Sequence, residues 1–211
     1  MKRIEFKLED VDVQWIFSPL RNKPDIIRFL MRVIKLILIS KPSFEEIQGD
    51  KAVLVVSKMS RIFFISPKKH FSICLPFKVK TSENNEVKIY SKCDTEMTSM
   101  LTSQVLSALE SETIMTSGNI WDFTAPIIEI YEATPDFWSV FRELLIFEDG
   151  YIRYDHDAEN EAGDLHPLHH LDVCYSSSPA FKLGLKKPLT SASLIDALEP
   201  STNCSYVTLN F

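Results

Sequence analysis

Apolar and polar residues follow two periods along the chain, and the changes of period mark its elements. Residues 3–8, Arg-Ile-Glu-Phe-Lys-Leu, alternate, which is the pattern of a half-buried strand. Residues 24–39 switch to helical spacing. Ile26, Ile27, Leu30, Val33, Ile34, Ile37 and Leu38 make one apolar face, and Arg28, Arg32 and Lys35 lie on the other. Pro24 suits the first helical turn, and Asp25 suits the positive end of the helix dipole. Ser43 and Glu46 read as a capping box that opens a short helix. Two β-rich runs, 52–57 and 61–66, flank a polar turn and predict a hairpin. The run 72–80 contains Pro76, which argues for an edge or a strand break. A polar turn at 81–86 and a short strand at 87–90 continue an antiparallel meander.

Helical spacing returns at 94–110, carried by Met97, Leu101, Val105, Ala108 and Leu109, and again from Thr134-Pro135 to Glu148. Residues 112–133 are ambiguous, because Pro126 interrupts their apolar run. The last third reads as strands at 151–155, 168–174 and 180–185, the latter two joined by a turn at Ser176–Pro179. An acidic loop spans 156–164. Thr190 caps a short helix through Leu198, and 204–211 reads as a closing strand. Runs of strands separated by a few helices predict an α+β fold: a largely antiparallel sheet packed with two or three longer helices. The length fits a single domain over 1–211, with a basic N-terminal lobe at 1–92 and a C-terminal lobe at 93–211.

Composition narrows the class. Hydrophobic residues are 45% and charged residues 25%, so there is enough apolar surface to offset chain entropy, and disorder is excluded. No apolar stretch is long enough for a transmembrane helix, and Met1-Lys2-Arg3-Ile4-Glu5 lacks an apolar signal core, so a cytoplasmic protein without a membrane is expected. Cys74, Cys93, Cys174 and Cys204 form no CxxC pair and read as reduced thiols. The sequence contains no GxxxxGK[ST], GxGxxG, GxSxG or HExxH, which removes phosphate-loop, dinucleotide, hydrolase-elbow and zincin chemistry.

The net charge of −6 is unevenly spread: residues 1–80 hold 16 Lys+Arg against 8 Asp+Glu, whereas 81–150 hold 3 against 13. The basic third could meet nucleic acid, the chain's own acidic part or an acidic partner. Its cations are dispersed rather than run together, so a protein partner is favoured over nucleic acid.

Four of the five histidines crowd into one stretch, from His156 through His166 and His169 to His170, beside Arg153, Tyr154, Asp155, Asp157 and Asp172. In a strand over 168–173, His170 and Asp172 share one side and His169, Leu171 and Val173 the other. Three chemistries fit. Asp155, His166, His170 and Asp172 are ligand types for a divalent metal, although no standard motif calls for that cofactor. Arg153, His166 and His170 are the parts of a metal-free acid–base site of ribonuclease type, with a histidine moving the proton and the guanidinium stabilising charge. The same residues can also form a hydrogen-bonded network that satisfies buried polar groups and holds the acidic loop. Common to all three readings is the expectation that Asp155, His166 and His170 come together in space.

The "RYD" strand followed by "HPLHH" resembles the C-terminal part of uncharacterised bacterial families that travel with toxin–antitoxin or phage-defence genes. The resemblance covers residues 150–175 and rests on Arg153, Tyr154, Asp155, His166, Pro167, His169 and His170; the long acidic loop between the two elements departs from it. It implies a setting in bacterial conflict systems rather than a reaction. The expectation is an accessory or interaction component of such a system. The alternative is a nuclease-like or metal-dependent toxin enzyme that uses the His156–Asp172 cluster.

Overall fold

The computed structural model describes residues 2–58, 60–110, 128, 134, 136–173 and 181–204. Their strands are β1 (Lys2–Lys7), β2 (Lys51–Val56), β3 (Arg61–Ile65), β4 (Lys69–Cys74), β5 (Lys78–Thr81), β6 (Val87–Tyr90), β7 (Ile152–His156), β8 (His169–Val173) and β9 (Phe181–Gly184). Their helices are α1 (Asp10–Ile16), α2 (Lys23–Ile39), α3 (Ser99–Glu110), α4 (Asp136–Ile146) and α5 (Ser191–Ala197). Seven strands form one sheet in the order β1-β2-β3-β4-β7-β8-β9, with every neighbouring pair antiparallel. β5 and β6 make a separate two-stranded ribbon. The predicted α+β class holds.

Each face of the sheet is covered differently. The main core fills one face, where Ile4, Phe6, Leu54, Ile62, Phe64 and Phe71 meet Phe29, Leu30 and Ile34 of α2 and Phe137 and Phe141 of α4. Phe64 and Phe71 stack with ring centroids 4.7 Å apart, and Phe29 meets Phe64 edge-on at 5.1 Å. On the other face Leu194 and Ile195 of α5 pack on Val53, Val55, Phe63 and Ile65, and Ile152 of β7 and Leu171 of β8 pack against the same cluster.

Residues directly opposite one another share a face. One row therefore crosses all seven strands: Phe6, Ala52, Phe64, Phe71, Arg153, Asp172, Lys182. It is apolar as far as Phe71 and ionic from Arg153 onward.

Local chemistry explains both agreement and error. α2 starts where Pro24 and Asp25 indicate, and the Asn22 side chain accepts a hydrogen bond from the Asp25 amide at 2.9 Å. Pro76 breaks the chain between β4 and β5, as expected. The predicted helix opening at Ser43 does not form. Ser43 instead makes a bridge to Glu5, with both backbone hydrogen bonds at 2.8 Å. Its hydroxyl turns to Glu45, because a short polar side chain serves a turn as readily as a helix start. α3 begins at Ser99 rather than 94, since Asp94 takes a positive φ of 64° and Glu96 bridges to Tyr90. The short α1 went unforeseen. The predicted turn at Ser176–Pro179, the ambiguous segment 112–133 save Ile128, and the closing strand beyond Cys204 lie outside the described residues.

Candidate functional site

β7 and β8 pair so that Arg153 faces Asp172 and Asp155 faces His170. These four side chains form one buried network. Arg153 Nε donates to Asp155 Oδ2 at 2.7 Å, and Nη2 donates to Asp172 Oδ2 at 2.7 Å. The two carboxylate side chains keep only 6% and 2% of their exposure. Burial opposes the guanidinium's charge, but Tyr151, Asp155 and Asp172 outweigh it and hold Arg153 above its ordinary pKa. Burial pushes the Tyr151 hydroxyl up to about 12.

His170 is buried, and its Nδ1 lies 2.9 Å from the Pro167 carbonyl. A carbonyl can only accept, so Nδ1 carries a proton and Nε2 is the ring atom that faces the carboxylates. Nε2 lies 3.8 Å from Asp155 Oδ2. The Lys182 ammonium, reaching over from β9, sits 3.4 Å from His170 Nε2, 3.4 Å from His166 Nε2 and 3.9 Å from Asp172 Oδ1. His166 precedes β8, meets His170 edge-on at 4.8 Å, and pairs with Asp157 at 3.2 Å. A hydrogen bond from Asn160 lowers the Asp157 pKa.

Of the residues expected to converge, His170 lies beside Asp155, and His166 meets His170 rather than the carboxylate. The four residues predicted as metal ligands also divide. Asp155, His170 and Asp172 each offer a donor atom within 4.8 Å of the others, whereas His166 is turned to Asp157. Arg153, a predicted catalytic group, is locked between two buried carboxylates. The remaining histidines lie on the opposite face. Tyr154 Oη is 2.9 Å from His169 Nδ1, His156 and His169 rings lie 4.9 Å apart, and His70 of β4 stacks on Tyr154 at 5.4 Å. The histidine-rich stretch is thus two clusters back to back. Lys182 and His70 were not legible as members, because only strand pairing brings them in.

Set against known protein families, curated proteins and solved structures, the chain has no match.

A second feature lies elsewhere. A groove of about 740 Å³ runs between the β2–β3 turn, the β4–β5 connection and the end of α4. Leu75, Pro76 and Phe77 form its apolar side, and Lys58, Lys78 and Lys92 line it with charge. Lys78 is held by Asp94 at 2.9 Å and by the Lys92 carbonyl at 3.0 Å. Lys58 and Lys92 are exposed and, among the described residues, form no ion pair. Ile146, at 76% exposure, stands at the rim. Sequence spacing hid this set, since its lysines come from the β2–β3 turn, the start of β5 and the segment after β6. No helix among the described residues is long and apolar enough to cross a membrane.

Proposed function

We propose that the chain is an interaction component that takes an extended, acidic segment of a protein partner into the lysine-lined groove. The observation that carries this reading is the pairing of two exposed ammonium groups, Lys58 and Lys92, which form no ion pair among the described residues, with an apolar wall and the exposed Ile146 in one concave site. Alternating carboxylate and apolar side chains would satisfy both halves of that lining. A nucleic-acid backbone suits it less. Glu148 also lines the groove, Glu143 and Asp94 stand beside Lys92 and Lys78, and the whole chain is acidic. The expected accessory role agrees with a binding component of this kind, in the bacterial defence or toxin-associated setting that the RYD…HPLHH resemblance implies. The buried commitment of Arg153 weighs against the alternative, a nuclease-like enzyme.

The test is selection from a random dodecapeptide library against the purified chain, followed by titration calorimetry. Selected peptides should be acidic with interspersed apolar residues, and K58E/K92E should weaken them at least tenfold. Peptides without acidic bias, or binding indifferent to K58E/K92E, would overturn the reading. Tight binding of a poly-uridine 15-mer at about 0.15 M salt, lost in K58E/K92E, would assign the groove to nucleic acid instead.

A further inference from the structure

We infer that Asp155, His170 and Asp172 are a binding site for a divalent first-row transition cation, with the Lys182 ammonium as a removable plug. The inference is independent of the groove.

The donors stand on neighbouring strands in direct register, so the sheet fixes their separation. One donor atom from each lies within 4.8 Å of the other two, and all three residues are buried. Donors around one ion at ~2.0–2.2 Å sit roughly 3.4 Å apart, a contraction that small side-chain rotations supply. The histidine is already prepared. Its Nδ1 donates to the Pro167 carbonyl, which fixes the tautomer that leaves Nε2 as a ligand. Arg153 grips Oδ2 of both aspartates and leaves the Oδ1 atoms. Asp155 Oδ1 is buried and accepts no hydrogen bond among the described residues. A buried carboxylate oxygen in that condition is unusual and indicates a cationic partner.

Charge agrees. Asp155 and Asp172 are opposed by Arg153 and Lys182, so withdrawing Lys182 leaves one excess negative charge beside a lone pair. Lys182 is able to leave, because it lies on the edge strand β9 and its side chain is 40% exposed. One imidazole with two carboxylates suits Mn²⁺, Fe²⁺, Co²⁺ or Zn²⁺ and does not suit soft monovalent ions.

The experiment is a Co²⁺ titration of the tag-free chain, read by visible absorption, with Zn²⁺ as competitor. Wild type should bind one Co²⁺ that Zn²⁺ displaces. K182M, an edge substitution that leaves the buried network intact, should bind at least tenfold more tightly. D155N and H170Q should weaken binding at least tenfold, and H169A, on the opposite face, should change it less than twofold. Circular dichroism monitors folding of each variant. Failure of K182M to tighten binding would overturn the plug, and D155N or H170Q binding like wild type while folded would overturn the site. No Co²⁺ spectrum in folded K182M would overturn both.

Discussion

Phe71 and Arg153 are cross-strand partners, and the sheet changes character between them. On the Phe71 side, the row is covered by helices and filled with aromatic rings. On the Arg153 side the same face continues with a guanidinium held by two buried carboxylates in place of aromatic rings.

This substitution makes Arg153 indispensable to its neighbours. R153M should lose about 3–5 kcal/mol, because it strands two buried carboxylates. The triple variant R153M/D155L/D172L should recover most of that loss. Urea unfolding in chelator-treated buffer measures both, and an R153M loss below ~1 kcal/mol would show that the network is not structural.

Leu30 is wholly buried on the sheet-facing stripe of α2. L30A should lower unfolding free energy by about 2–5 kcal/mol with an unchanged dependence on denaturant. A loss under ~1 kcal/mol would mean that this face is not packed.

Gly150 takes a φ of 52°, and a Cβ there would come within 3.0 Å of Cys74 Sγ and 3.2 Å of Arg61 Nη1. G150A should therefore cost about 1–3 kcal/mol through backbone strain and displacement of Arg61. Thermal unfolding tests this, with G163A as the comparison. Gly163 shares the positive φ but has open space around it, so the difference between the two variants reports the collision alone.

His70 supplies a pH prediction. Burial lowers its pKa, and the backbone at Lys69 and Ser66 counteracts only part of that effect. A base that holds its proton less tightly when folded contributes stability above its unfolded pKa, about 6.5, and loses it as pH falls through the folded value. Wild type should weaken from pH 7 toward pH 5 more than H70Q does, as followed by urea midpoints. Parallel profiles would refute the assignment.

Much of the fold was legible because its signals were local. The stripe Ile26 to Leu38, the break at Pro76 and the Thr190 cap each depend on a few neighbouring residues. The adjacency of Asp155 and His170 followed from two strand patterns joined by one loop. What escaped depends on pairing at a distance. Ser43 was drawn to Glu5, Lys182 entered the network from β9, and the groove lysines came together from a turn, a strand start and a connection whose spacing encodes nothing. The division of the histidines between faces was half visible, since alternation separates His169 from His170 but says nothing of His70.

The sheet's strand order has a kinetic consequence. Every join but one links strands adjacent in the chain, and the exception, β4 to β7, spans residues 75–151. Closing so long a segment costs more entropy than closing a hairpin, although each doubling of length adds only about 0.6 kcal/mol. The β2–β4 meander can form from neighbouring contacts, whereas β1 must close over α1 and α2, and β7–β9 must wait for the intervening α3 and α4 to be gathered in. Refolding should pass its barrier at that seam, so substitutions in β4 or β7 should slow folding, whereas those in α5 should chiefly speed unfolding.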